Sequence, residues 1–301
     1  MNTRTIHLKA QQNLFNQINH YLKRQHVKNL AHRAIIYFLL IIGSFLISLP
    51  FFWMISTSLK KPGTEFTIPI QWIPNPPRWD NYLKGWSILP FNIWLFNTIT
   101  ITAISTIGSL LSSSVIAFGF ARIDFPGRNI LFLLVLATMM LPYPSVIIPL
   151  FILYKNLGWL DSFKPLTIPT FFGVNAFYIF LLRQFFKTIP KDLDDAARVD
   201  GCNTFGVFRY IALPLIKPAL GIIFVFSFMY NWNDFLGPLI YLSSPEKFTL
   251  ALGLRFFQSQ YRVEWTLLMA VSLIVLSPCI ILFFIAQKYY IQGIVITGIK
   301  G

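Results

Sequence analysis

The chain has 301 residues, 55% of them hydrophobic and only 12% charged, with a mean hydropathy of +0.61 gathered into long apolar blocks. This composition excludes a soluble globular domain and points to an integral membrane protein. The net charge of +14 calls for no nucleic-acid partner, because Lys and Arg flanking spanning helices are held on the cytoplasmic side.

The first 33 residues hold six Lys or Arg and no acid, with Leu14, Ile18, Tyr21 and Leu22 at i, i+4, i+7 and i+8. That pattern predicts an amphipathic helix lying on the anionic lipid of the inner leaflet. Apolar blocks follow at 34–56, 94–118, 129–154, 166–186, 218–243 and 265–287. Each reaches the roughly 20 residues that a helix needs to cross a ~30 Å hydrocarbon core. Open sheet edges cannot be paired in lipid, and no barrel-like alternation is present, so an all-α bundle of six transmembrane helices is expected. The first block lacks a small-x-small cleavage site and is expected to be a retained anchor.

The inner segments of this topology carry 16 basic residues and the outer ones nine, which places both termini in the cytoplasm. Trp53, Trp94, Trp159 and Trp265 fall at the outer ends, as an interfacial belt would. Cys202 and Cys279 both belong to the inner side, so no disulfide is expected. No residue cluster suggests a metal. The chain thus divides into a cytoplasmic segment 1–33, a first span with its external loop 34–93, a five-helix core 94–287 and a cytoplasmic tail 288–301. Pro and Trp in the loop from Ser58 to Pro90 predict an ordered cap.

Two spans carry polar or broken stretches. In the third, Met139-Met140-Leu141-Pro142-Tyr143-Pro144 and Pro149 remove backbone donors within one or two turns. Such a break is tolerated at membrane depth where it is buried in protein or lines a wet cavity. In the fifth, Asn231, Asn233 and Asp234 interrupt the apolar run. An Asp there costs roughly 2.5–3.5 kcal/mol on insertion scales, so it must face protein or water. Pro142, Tyr143, Asn231, Asn233 and Asp234 are therefore candidates for a substrate pathway, the alternatives being a packing kink and a hydrogen bond to a neighbouring helix.

Between the fourth and fifth spans lies an inner loop with four acids and five bases between Lys187 and Lys217. It reads as a helix, a glycine break, a second helix and a proline stop. Asp192 and Asp195 have capping-box spacing, Gly201 suits a left-handed helix end, Asn203 or Thr204 can cap the next helix, and Pro214 is expected to halt it.

Asp195, Ala196, Ala197, Gly201, Ile211, Leu213 and Pro214 match, at the right spacing, the EAA loop of bacterial ABC importer permeases, which this segment resembles. Asp195 stands where that family usually has Glu, one methylene longer. The run Trp232-Asn233-Asp234-Phe235 and the ending from Gly293 to Gly301 resemble the smaller permease subunit of maltose-type carbohydrate importers. The resemblance runs from about residue 34 to the C-terminus.

It implies a type I importer bundle in the bacterial inner membrane, with a cytoplasmic coupling helix that includes Asp200. It also implies a larger homologous permease, two ATPase subunits that use ATP and Mg, and an external solute-binding protein. The loop from Ser243 to Arg262 is then expected to touch that protein through Gly253, Gln258, Ser259 and Gln260. The chain has no G-x-x-x-x-G-K-[ST] stretch, so ATP chemistry requires a partner, and no cofactor is expected here. A secondary carrier is the rival mechanism, disfavoured because the broken third span has no evident counterpart. A membrane enzyme is disfavoured by the absence of a catalytic cluster. Another polar solute in the same machine is the remaining alternative.

Overall fold

The computed structural model describes the backbone of residues 3–258 and 263–298, and the side chains of residues 30, 32–258 and 263–287. The chain forms two compact units, Met1–Ser56 and Thr57–Gly301. The first consists of helix α1 (Thr3–Ser58), which runs unbroken across the expected junction at residue 33. The amphipathic pattern at Leu14, Ile18, Tyr21 and Leu22 lies outside the described side chains. Its stretch from His32 to Ser58 is long and apolar enough to cross a membrane, and Tyr37, Leu39, Ile41 and Ile47 on it are exposed.

The regular elements of the second unit, among the described residues, are helices. The loop after α1 carries α2 (Asp80–Ser87), followed by α3 (Phe91–Arg122), α4 (Arg128–Thr138), α5 (Tyr143–Asn156) and α6 (Lys164–Thr167). A 3-10 turn (Ile168–Phe172) leads to α7 (Ala176–Thr188) and α8 (Lys191–Val199). Next come α9 (Thr204–Leu215) and α10 (Lys217–Trp232), α11 (Leu236–Tyr241), α12 (Leu250–Gly253) and α13 (Trp265–Gly298). Among the described residues the only β contact is an isolated bridge between Gln258 and Val263.

Four helices have spanning length and apolarity, and two bent pairs bring the number to six if each pair is one span. The third span breaks where its prolines predict, with α4 and α5 inclined at 98°. It is not alone. The fourth is interrupted between Phe172 and Ala176, where Gly173 has φ +69°, and the fifth between Trp232 and Leu236. The expectation of a single broken span was too simple, because only the proline-rich break announces itself in sequence.

α3 is the central stave, and its buried face is small and hydroxylated: Thr98, Thr102, Ser105, Thr106, Ser109, Ser112 and Ser113. Small residues let helix backbones approach where lipid offers no hydrophobic drive between helices. Ser105 Oγ donates to the Leu166 carbonyl at 2.9 Å and Ser112 Oγ to that of Thr170 at 2.7 Å. Gly108 lies against Thr170 and the Phe171 ring, where a Cβ would collide.

Two apolar clusters flank this seam. One joins Phe118 and Phe120 of α3 to Leu182 and Phe186 of α7, Ala197 of α8 and Val207 and Ala212 of α9. The other joins Phe91 and Trp94 to Trp232, Leu250, Phe257 and Val271. The loop before α2 is ordered by side-chain bonds: Asn81 Nδ2 donates to the carbonyls of Ser58 and Lys60, both at 2.8 Å. Lys60 is buried and donates to the Glu65 carbonyl; burial lowers its pKa, opposed by the charge of Glu65.

Candidate coupling surface and membrane cavity

α8 starts after Pro190 without a side-chain cap, so the capping box expected of Asp192 and Asp195 does not form. Proline at the N-cap has no side-chain acceptor to offer, and the carboxylates of Asp192 and Asp194 fall instead inside the first turn, where they suit the helix dipole. The helix closes as the glycine predicts. Gly201 N donates to the Arg198 carbonyl and Cys202 N to that of Ala197, with Gly201 at φ +86°. This pair of bonds is the Schellman arrangement. Asn203 Oδ1 then accepts from Gly206 N at 2.8 Å and caps α9.

α9 ends at Leu215, one residue beyond Pro214. Residues Val207–Ala212 adopt π geometry, a wider turn that accommodates the proline ring, and the chain turns at Ile216, where α9 and α10 meet at 78°. Ile211 is half-buried against the α3 and α7 cluster, while Leu213 is half-buried and Pro214 exposed.

The two faces of α8 differ sharply. Asp194 and Ala197, three residues apart, are buried, whereas Asp195, Ala196 and Asp200 are exposed. Arg122, the last residue of α3, approaches Asp194 at 3.5 Å and donates from Nη2 to the Ile189 carbonyl at 2.7 Å. Both side chains of this ion pair are nearly inaccessible, 4% and 8% exposed. Asp195, the residue singled out by the motif, makes only a 3.7 Å contact with Arg198 on the open face. α8 is therefore keyed to the end of α3 by one carboxylate and presents the next one outward, beside the exposed Leu193 and Val199.

Of the pathway candidates, Asn231, Asp234 and Tyr143 are brought together around two adjoining cavities of about 360 and 160 Å³. Tyr230 and Asn231 line both. Asn231 Nδ2 donates to the Ser227 carbonyl at 2.7 Å, and Asp234 Oδ1 accepts from Gly237 N at 3.1 Å. Asn233 is not part of this group: it donates to the Met229 carbonyl and contacts Cys279 Sγ. Pro142 is the exposed cap residue of α5 and lines neither cavity.

In the loop from Ser243 to Arg262, Gly253 is buried against the Trp94 ring, where a Cβ would collide. It is a packing glycine rather than an exposed tip, and this corrects the expected contact role. Gln258 is exposed, and Ser259 and Gln260 lie outside the described residues. The base of this loop is held by Asp161, a residue the sequence reading passed over. Its carboxylate accepts from Ser243 N, Ser244 N, Ser244 Oγ and Lys247 Nζ at 2.6–3.0 Å, and its backbone is left-handed at φ +55°. The Lys247 ammonium, the Ser244 hydroxyl and the two amides hold its pKa well below the ordinary carboxylate range.

Comparison with known proteins agrees with this architecture. The arabinooligosaccharides transport system permease protein AraQ of Bacillus subtilis is 39% identical over 86% of this chain and 92% of its own length. The sn-glycerol-3-phosphate transport system permease protein UgpE of Yersinia enterocolitica is 33% identical over 85% and 94%. The sulfoquinovosyl glycerol transport system permease protein SmoH of Agrobacterium fabrum is 30% identical over 84% and 88%. Among solved structures, a chain of a bacterial ABC transporter involved in the import of the acidic polysaccharide alginate superposes with a TM-score of 0.75 at 24% identity, over 85% of this chain and 95% of that one. Residues 109–296 match the model of the binding-protein-dependent transport system inner membrane component, and with these relatives the match shows that the chain is a multi-pass inner-membrane permease of that family.

Proposed function

We propose that this chain is the smaller permease subunit of an ATP-driven, binding-protein-dependent carbohydrate importer, forming half of the translocation pathway with a larger homologous permease. Two ATPase subunits dock beneath it and consume ATP and Mg, while the chain itself binds no cofactor and hydrolyses nothing. An external binding protein delivers the sugar near Gln258. Both termini face the cytoplasm.

The observation that carries the reading is α8 with its Schellman end: keyed to α3 through Asp194 and Arg122, and open on the face of Asp195, Ala196 and Asp200. A transporter that alternates access must pass movement from nucleotide-binding subunits to spanning helices through an element attached to both. α8 and α9, with Ile211, Leu213 and Pro214, meet that need. Carbohydrate is favoured as cargo because the arabinooligosaccharide relative is 39% identical.

Reconstitution of the chain in proteoliposomes with its larger permease, ATPase and binding protein tests the reading. ATP-dependent sugar uptake should appear with the full set and vanish when this chain is omitted. Uptake driven by an ion gradient without ATPase subunits would reject it.

A further inference from the structure

Three cations gather where the start of α4 and the end of α7 lie beside the last turn of α3. On α7, Arg183 and Lys187 stand at i and i+4, and on α4 Arg128 and Phe132 do the same, so each pair shares one helix face. The two faces meet: the Arg183 guanidinium lies over the Phe132 ring, with Cζ 3.9 Å from its centroid. Its Nε donates to the Phe120 carbonyl of α3 at 3.2 Å. The charges of Arg183 and Arg128 both act on Lys187.

Counter-charge is lacking here. Asp124, whose carboxylate is exposed, pairs with Arg128, and Arg122 is taken up by Asp194. Among the described residues neither Arg183 nor Lys187 is ion-paired, although Arg183 is only 7% exposed. A buried cation without an opposite charge is unfavourable; a carbonyl and a ring face offset part of that cost, and neither carries a charge. A staple between α3, α4 and α7 would account for Arg183 alone. It gives no reason to set a like charge four residues away, which destabilises a helix. α4 adds a second feature that attracts anions. It starts at Gly127 with no side-chain cap, and the amides of Asn129 and Ile130 have no acceptor among the described residues. They lie beside an open recess of about 620 Å³ lined by residues 124–130. Free amides at a helix start favour phosphate.

We propose that Arg128, Arg183 and Lys187, with the first turn of α4, hold the phosphate of an anionic phospholipid headgroup between α4 and α7. Lipid is the source rather than free phosphate because Ile130, Leu133 and Leu134, directly beyond the cations, are 58–67% exposed. They belong to the first half of a bent apolar pair of spanning length, a surface for acyl chains that a soluble anion would not use. Arg183 stands five residues before the end of α7, about 7.5 Å along its axis, within reach of the headgroup level for a long side chain. Basic pockets between the ends of spanning helices suit such headgroups, and the planar fork of Arg matches phosphate oxygens.

The test takes the affinity-tagged full chain, purified with its partner subunits in phosphatidylcholine micelles, and measures retention of radiolabelled phosphatidylglycerol after washing. Wild type should retain the label against a large excess of phosphatidylcholine. Lys187→Gln should lower retention about fivefold, as for one cation lost at an anionic lipid surface, and Arg183→Gln should lower it further. Lys187→Arg, which keeps the charge, should stay near wild type. Lys187 is exposed, so Lys187→Gln remains decisive even where Arg183→Gln fails to fold. Equal retention by wild type and Lys187→Gln overturns the proposal. Displacement of the label by inorganic phosphate as readily as by unlabelled phosphatidylglycerol would assign the cluster to a soluble anion. Loss of the partner subunits from Lys187→Gln in phosphatidylcholine alone would assign it to a protein contact; either result also overturns the proposal. The importer reading is independent of these outcomes, since it rests on ATP-dependent uptake.

Discussion

Gly201 and Asp161 both have positive φ, and they answer to different physics. At Gly201 nothing lies within 4 Å of an added Cβ, so the demand is for backbone conformation alone. An L-residue in the left-handed region costs roughly 1–2 kcal/mol, and Asn tolerates it best. Gly201→Asn should therefore retain most ATP-coupled uptake, while the β-branched Gly201→Val should lose it with the protein still inserted; equal uptake by the two variants would show that the turn is not needed for coupling.

At Asp161 the side chain decides. Its folded pKa is depressed, so its stabilising contribution is complete above the unfolded value of about 4 and is lost as pH falls through the folded value. Thermal unfolding of the purified protein should show the loss beginning below about pH 4 in wild type. Asp161→Ala should start from a lower Tm and show less of this acid dependence.

At the scale of elements, the join between α3 and α8 is a buried ion pair. Removing one partner of such a pair strands the other charge and typically costs about 3–5 kcal/mol, whereas an apolar replacement of both is often neutral. Arg122→Gln should therefore abolish stimulation of the ATPase by loaded binding protein. Arg122→Met with Asp194→Leu should restore that stimulation, because no charge is left stranded. If Arg122→Gln keeps full stimulation, the join is ornamental.

The sequence exposed part of this join and hid the rest. Gly201 and Asn203 were legible because local chain chemistry fixes a helix end. Asp195 outshone Asp194 because a motif reports residue type, whereas burial depends on which side of α8 meets α3. The pairing of Asp194 with Arg122, 72 positions apart, has no periodic signature; the spacing of Asp194 and Ala197 on one helix face was the available hint.

At the scale of the molecule, the six apolar blocks were legible from hydropathy alone, since a bilayer imposes length and apolarity on any helix that crosses it. The interruption at Gly173 and the convergence of Tyr143, Asn231 and Asp234 were not, because both are set by packing between distant segments. Gly253 misled for the same reason: glycine is enriched in loop tips and also where a ring approaches backbone, and only the position of Trp94 separates the two. Reporter fusions at Lys61 and Glu246 should read external and one at Asn203 internal; an external signal at Asn203 would invert the assigned orientation.

α3 adds a mechanical consequence. Near its first turns, Trp94 Nε1 donates to the Pro245 carbonyl, Asn97 to those of Glu246 and Phe248, and Thr98 Oγ accepts from Leu250 N. Its last residue holds Asp194 and Ile189. One continuous helix thus grips the loop at 245–250 at one end and α8 at the other, with Trp94 and Arg122 about 42 Å apart along its axis. A rigid tilt of ~5° about its midpoint would displace the two ends by ~2 Å in opposite directions, by the same helical rise. Such a tilt would move the loop at 245–250 and α8 together, without a relay of successive contacts between them.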